Sequence, residues 1–405
     1  MSFHHWFQKV IANRTPPLLS LLIPQIHHKN ILSTLHLIMS TVPGTFAKSR
    51  QCKCYAALKA NAPLELFTIE RRAVHETDVS IKILFAGICH SDIHQVKEEW
   101  GQANFPMVPG HEICGIVEAV GSAVTKFKVG DTVGVGCMVD SCRKCSFCKA
   151  GEENYCKSGM VGTYNSKAKY DHMPEHNKEG GGVTQGGYAE SIVVDMDYVL
   201  QIPANLDLAA ATPLLCAGIT TYSPLKHFGL KPNHKLAVLG LGGLGHMAVK
   251  FGLAFGSDVT VISRGTSKRD SSLKDLKANH YIDSTDAAAM EAANGSFDFM
   301  IDTIAADHDI GAMMGLLSTN GKCVMVGVPS SPFNIHAFSF IGGRKTLSGS
   351  LIGGIDETQE MLEFCGRHNI VCDIEMIKAS EINVAYERAI KSDVKYRFVI
   401  DNSTI

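Results

Sequence analysis

Residues 236–252 read LAVLGLGGLGHMAVKFG. Leu236 to Leu239 form a compact apolar run of strand length. Glycines follow at 240, 242 and 245, and from Met247 to Phe255 the apolar residues fall into a helical pattern. Strand, glycine turn and helix in that order open a βαβ unit with the spacing G-x-G-x-x-G. Gly240 permits the tight turn, Gly242 lets backbone approach a pyrophosphate, and Gly245 lets helix and strand pack closely. Gly243 and Leu244 lie within the same turn and count among the cofactor-binding residues, and the helix that follows turns its amide end to the anion. The spacing alone is a weak signal, since other α/β proteins have glycine-rich turns. The strand before it and the helix after it favour a dinucleotide site.

Downstream, short apolar runs recur at Val259–Ile262, Phe297–Ile301 and Lys322–Val328, separated by helix-like stretches. Strands alternating with helices predict a parallel, doubly wound sheet of the Rossmann kind. The second strand runs into Ser263-Arg-Gly-Thr-Ser-Lys-Arg269, where an NAD site would place Asp or Glu on the ribose hydroxyls. No carboxylate stands in this segment to repel a 2′-phosphate. Ser263, Arg264 and Lys268 offer hydrogen bonds and positive charge, and an arginine fork suits phosphate. The segment favours NADP.

Upstream the character differs. Val79–Ala86, Gly115–Val120 and Thr132–Val135 read as short strands bounded by Gly and Asp, and a loose polar segment runs from Asn165 to Gly187. Beyond Thr346 the chain returns to mixed short elements and ends in the strand-like Tyr396–Ile400. The expected class is α/β. An irregular β catalytic domain takes residues 51–210 and 346–405, the cofactor domain takes 211–345, and residues 1–50 are an extension.

A chain of 405 residues has room for two such domains. Charged residues make up 19 % and the formal net charge is −2, which argues against the broad basic surface that nucleic acid needs. No apolar run reaches the roughly eighteen residues of a membrane span; Leu18 to Ile23 stops at Pro24. The first acidic residue is Glu65, preceded by Lys9, Arg14, Lys29, Lys48, Arg50, Lys53 and Lys59. Such a leader is similar to an organelle transit segment, although Pro16 and Pro17 break its amphipathicity. The alternative is a start at Met39. A cytoplasmic location is expected, with mitochondrion or plastid the alternative if the leader is a true transit peptide.

Thirteen cysteines suggest metal in a reducing compartment more than disulfides, because four of them cluster. Cys142, Cys145, Cys148 and Cys156 have the spacing C-x2-C-x2-C-x7-C, which closes a tetrahedral zinc shell with no open position. An iron–sulfur cluster is the rival. A second site would have to be assembled from separate segments. The stretch GICHSDIHQV (Gly87–Val96) holds Cys89, His90, Asp92 and His94, His111-Glu112 follows shortly after, and Cys216 opens the α/β half. One cysteine, one histidine and a second cysteine would leave a fourth position for substrate. By spacing alone this trio is weak, because isolated His and Cys are more often structural.

The stretches GICHSDIH, PMVPGHEICGIVEAVG, VGDTVGVGC, SCRKCSFCKAGEENYC, GGYAE, CAGITTYSPLKHFGL and LGLGGLGHMAVKFG occur in an order that resembles the zinc-dependent medium-chain alcohol dehydrogenases. The closest similarity is to their cinnamyl alcohol dehydrogenase branch. It covers about Tyr55 to Asp401. The resemblance implies a GroES-like catalytic domain, two zinc ions per chain, NADP(H), a small alcohol or aldehyde substrate and a homodimer. It implies Cys89, His111 and Cys216 as catalytic zinc ligands, with Glu112 able to swing onto the metal, and the four-cysteine loop as the structural zinc site. Ser91 and His94 match a proton relay, Asp92 an acid that orients His111, His90 a position beside the pyrophosphate and Thr220 one near the nicotinamide. Trp100 matches a position by the substrate pocket. The family commonly carries Leu-Gly-Ala where this chain has Leu276-Lys-Ala, and serine or threonine where it has Arg264. A zinc-free quinone or enone reductase is the alternative activity.

Overall fold

The structure, a computed structural model, describes residues 48–173, 182–329 and 331–405. The transit-segment reading and the Met39 start lie outside the described residues. A strand, Arg50–Ala56, begins at the last residue assigned to the extension.

Six strands form a wholly parallel sheet in the spatial order His280–Asp283, Asp258–Ser263, Lys235–Leu239, Phe297–Asp302, Leu317–Met325 and Thr346–Gly349. The chain starts in the middle, winds outward to one edge, then returns to lay Phe297–Asp302 on the other side of Lys235–Leu239. The point where the winding reverses leaves a crevice at the carboxyl ends of those two strands. Both faces of the sheet are covered, and so the strands are apolar throughout and do not alternate with polar residues. Leu236, Val238, Val259, Val261, Phe299 and Ile301 pack on one face with Met247 and Phe251 of the helix Gly243–Ala254. Ala237, Leu239, Ile262 and Met300 face the other way against Ile310 and Met314. Phe251 is wholly buried, and burying such a ring contributes roughly 2–3 kcal/mol.

Seven strands form the second sheet around Asp78–Gly87, which pairs antiparallel with Ile113–Val120, Ser191–Asp195 and Arg397–Asp401. Its ladder with Ile113–Val120 shifts register between Ser80 and Ile81 and again between Ile83 and Phe85, and such bulges bend a strand. The antiparallel pairing has a direct consequence. Ala86 lies opposite Ile113 and Gly87 opposite Val399. The residues just past Gly87, those just before Ile113 and those just before Val399 therefore meet at one end of the sheet.

Two boundaries need correction. The run expected at 322–328 is the strand Leu317–Met325. Residues 346–349, assigned from sequence to the catalytic domain, pair with it as the sixth strand of the parallel sheet. Thr346–Gly349 is an edge strand with no fully buried residue, and it lacks the apolar run that marks its neighbours.

Candidate active site

Cys89 caps the helix His90–Val96 in an extended conformation, and the Asp92 carboxylate accepts from its backbone N–H at 3.0 Å. That cap fixes the thiol at the end of the sheet. His111 and Glu112 arrive just before Ile113, after Gly110 at φ 103°, where a Cβ would lie 2.7 Å from the Tyr188 ring. Cys216 sits at the junction of the turn Thr212–Leu215 and the helix Ala217–His227. The ligating atoms of Cys89, His111, Glu112 and Cys216 all lie within 4.8 Å of one another, and all four residues are buried. The two sulfurs are 3.9 Å apart.

Asp92 organises this group. Its carboxylate also accepts from His111 Nδ1 at 3.0 Å, the Gly110 N–H at 3.2 Å and the Tyr188 hydroxyl at 2.8 Å. With Nδ1 committed as donor, Nε2 of His111 is the nitrogen available to a metal. Burial opposes charge on His111, but the facing Asp92 outweighs it and holds the imidazole well above its ordinary range. Burial raises the Glu112 carboxyl above the usual carboxylate range, even with Arg397 paired to Oε1. Glu112 Oε2 is buried and makes no hydrogen bond among the described residues. Two thiols and an imidazole form a donor set that fits zinc with one position left open, and the unsatisfied Glu112 oxygen stands close enough to enter that position.

Cys142, Cys145, Cys148 and Cys156 also bring their sulfurs within 4.8 Å of one another. The Cys142 N–H donates to the Cys156 sulfur at 3.4 Å, and Ser141 Oγ lies 3.2 Å from that of Cys148. Four sulfurs, with no fifth metal donor grouped with them among the described residues, fit a closed zinc site.

One cleft of about 1130 Å³ is lined by Cys89, His111 and Cys216 together with His90, Ser91, His94, Trp100 and Thr220. The glycine turn opens onto the same cleft through Gly240, Gly242, Gly243 and Leu244, as do Ser263, Arg264 and Lys268. Asp92, Glu112 and Gly245 do not line it. The three glycines divide as their positions suggest. Gly240 has φ 85°, a Cβ on Gly242 would meet nothing within 4 Å, and one on Gly245 would lie 2.2 Å from the Gly240 carbonyl oxygen. Open space over Gly242 at the start of a twelve-residue helix is a cradle for a pyrophosphate. Lys268 Nζ donates to the Leu241 carbonyl at 2.6 Å, tying the cofactor-selecting loop to the glycine turn.

Ser91 Oγ lies 3.5 Å from the Cys89 sulfur. Among the described residues no hydrogen bond joins Ser91 to His94; His94 Nδ1 instead pairs with Glu99, and its ring stacks on Trp100 with centres 4.7 Å apart. Three further residues escaped the sequence reading. Glu99 belongs with His94. Arg397 is buried, pairs with Glu112 and passes so close to Gly243 that a Cβ there would lie 2.6 Å from its Cδ. Asp283 accepts from the Gly265 N–H at 2.8 Å, so a carboxylate does contact the cofactor-selecting loop, supplied by the next strand and not by the loop itself. A charged residue at the margin of a strand was the available signal, Asp283 as the last residue of His280–Asp283 and Arg397 as the first of Arg397–Asp401.

Residues 75–204 match the profile of the alcohol dehydrogenase GroES-like domain, and residues 243–367 that of the zinc-binding dehydrogenases. The NADP-dependent alcohol dehydrogenase C 1 of Mycolicibacterium smegmatis is 54 % identical over 352 residues, which is 87 % of this chain and 98 % of that protein. A cinnamyl alcohol dehydrogenase of Sorghum bicolor superposes with a TM-score of 0.83 at 46 % identity, covering 87 % of this chain and 98 % of its own. The CAD of Helicobacter pylori, solved in complex with NADP(H), gives 0.80 at 40 % identity, covering 88 % and 99 %.

Proposed function

The chain belongs to the zinc-dependent medium-chain alcohol dehydrogenases, and on that premise we propose that it interconverts primary alcohols and aldehydes with NADP(H) in the cleft described above. Aromatic aldehydes of the cinnamyl type and medium-length aliphatic ones suit its mixed aromatic and apolar lining. The observation that carries this reading is that two thiols and an imidazole line the same cleft as the glycine turn.

Cys89, His111 and Cys216 would hold the catalytic zinc, and the four-cysteine loop the structural one. Bound zinc supplies Lewis acidity toward the carbonyl oxygen, and NADPH supplies the hydride. Ser91 donates a hydrogen bond to that oxygen and passes it a proton as the alcohol forms. His94 stands three residues on, roughly 5–6 Å from Ser91 on the same helical face, so a hydroxyl of cofactor or water must bridge the two. Glu99 pairs with Nδ1 of His94 and holds its ring in place. Asp92, fixed by four donors, keeps Nε2 of His111 turned to the metal. Lys268, Ser263 and Arg264 take the 2′-phosphate, while Asp283 holds their loop. Arg397 neutralises Glu112 and links the metal cluster to the helix under the pyrophosphate.

A zinc-free enone reductase is the less favoured reading, since such an enzyme has no use for the buried donor set. The experiment is Cys216→Ser with zinc analysis and NADPH-linked aldehyde reduction. The variant should retain one zinc per chain and lose turnover by at least about 10³-fold, the scale on which removing an electrostatic stabiliser acts. Normal turnover, or faster wild-type oxidation of NADH than of NADPH, would refute the assignment. We also infer a homodimer. Thr346–Gly349 is an edge strand, and exposed Phe338 and Ile341 precede it, a combination that invites pairing. Light scattering in solution tests it.

A further inference from the structure

The amide of Gln95 has an orientation dictated by a backbone N–H two residues removed from it in a hydrogen-bond chain. The Asn104 N–H can only donate, and it donates to Asn165 Oδ1 at 2.8 Å, joined there by Asn104 Nδ2 at 3.0 Å. The oxygen end of the Asn165 amide is thereby fixed. Its Nδ2 is left to donate, and it does so to Gln95 Oε1 at 2.6 Å. Asn165 is itself held by its N–H bond to the Thr184 carbonyl at 3.0 Å and by a left-handed backbone at φ 55°, which asparagine tolerates. Gln95 therefore has its oxygen occupied, while Nε2 and its two hydrogens have no partner among the described residues.

Gln95 and Ser91 are four residues apart on the helix His90–Val96, which puts them on one face with Cβ atoms about 5–6 Å apart. Both line the cleft. On the dehydrogenase reading, Ser91 meets the aldehyde oxygen. A free donor pair one helical turn away then meets the same substrate a few bonds further along. We propose that Gln95 Nε2 is a specificity-determining donor, selecting aldehydes that carry an ether or hydroxyl oxygen about one helical turn from the carbonyl over their hydrocarbon isosteres. A site built to satisfy an oxygen discriminates against the analogue that lacks it, because the donor is then left unpaired.

The test uses the zinc-loaded enzyme with NADPH and two isosteric aldehydes, para-methoxybenzaldehyde and para-ethylbenzaldehyde. The readout is the ratio of their kcat/KM values, compared between enzymes so that the electronic difference between the aldehydes cancels. Gln95→Leu should lower the methoxy-to-ethyl ratio by about fivefold to tenfold, the worth of one hydrogen bond. Asn165→Asp keeps Gln95 in place and tolerates the same backbone, but offers only acceptors. One carboxylate oxygen stays with the Asn104 N–H, and the other draws Nε2 of Gln95, turning its carbonyl into the cleft. The ratio should fall at least as far. A ratio that survives in either variant overturns the proposal. Absence of NADPH oxidation with both aldehydes in the wild-type enzyme would overturn the dehydrogenase reading on which it rests, a result distinct from an unchanged ratio.

Discussion

The imidazole of His246 is wholly buried, stacked on Tyr396 with ring centres 4.8 Å apart, and neither nitrogen makes a hydrogen bond among the described residues. Burial, then Lys250 and Arg397 nearby, push its pKa from 6.5 down to about 3. The folded protein keeps this ring neutral where the unfolded chain would protonate it. Its cost is absent above pH 6.5 and grows as pH falls from there toward 3. The slope approaches about 1.4 kcal/mol per pH unit. His246→Phe keeps a ring on Tyr396 and removes the titration. Urea unfolding at successive pH values should show the variant gaining on the wild type by that slope below pH 6.5. Parallel curves would mean that water reaches the imidazole. His246 also marks a limit of sequence reading. It directly follows the glycine turn, and nothing in its neighbours separates a stacking ring from a ligand. Arg397 was hidden for a related reason: its partner Glu112 is 285 positions away in the chain.

At the scale of elements, the strands that carry the dinucleotide site were legible because burial on both faces demands unbroken apolar runs. Lys235–Leu239, Asp258–Ser263 and Phe297–Asp302 were each read to within one residue at an end. The edge strand Thr346–Gly349 was not legible, since a strand that buries nothing fully carries no such run. Connections behave differently again. Lys277, where relatives commonly carry glycine, sits just past the turn Ser271–Asp275 at φ 64°. A left-handed conformation costs a residue with a Cβ about 1–2 kcal/mol, of which the greater unfolded-state freedom of glycine takes back part. Lys277 is exposed and its side chain makes no hydrogen bond among the described residues. Lys277→Gly should therefore stabilise the protein by about 0.5–1 kcal/mol, read as a higher urea midpoint at unchanged slope. A lower midpoint would show that the lysine stem packs usefully against the loop.

For the whole molecule, the four-cysteine loop does more than close on itself, because it braces the passage between the two sheets. Asn154 Nδ2 donates to the Leu351 carbonyl at 2.7 Å, the Leu351 N–H donates to the Tyr155 hydroxyl at 3.1 Å, and the Ile355 N–H donates to Glu153 Oε2 at 3.1 Å. A Cβ on Gly354 would lie 1.7 Å from the Gly151 carbonyl oxygen, so the two segments touch backbone to backbone. Residues 350–355 join the last strand of the parallel sheet to the helix Ile355–His368, and Leu351 and Ile352 line the cleft. A metal held by these four sulfurs would thus support the wall of the proposed active site without taking part in its chemistry. Cys145→Ser should bind one zinc per chain in place of two. Its loss should lower the melting temperature by several degrees, as a change of about 2 kcal/mol would in a chain of this size. Amide exchange should rise in residues 350–355 as well as in the loop itself. If exchange rose in the loop alone, the bracing would be wrong. If it rose in both while Cys89 and Cys216 kept their metal, any rise in KM for the aldehyde would be assigned to the wall and not to the catalytic centre.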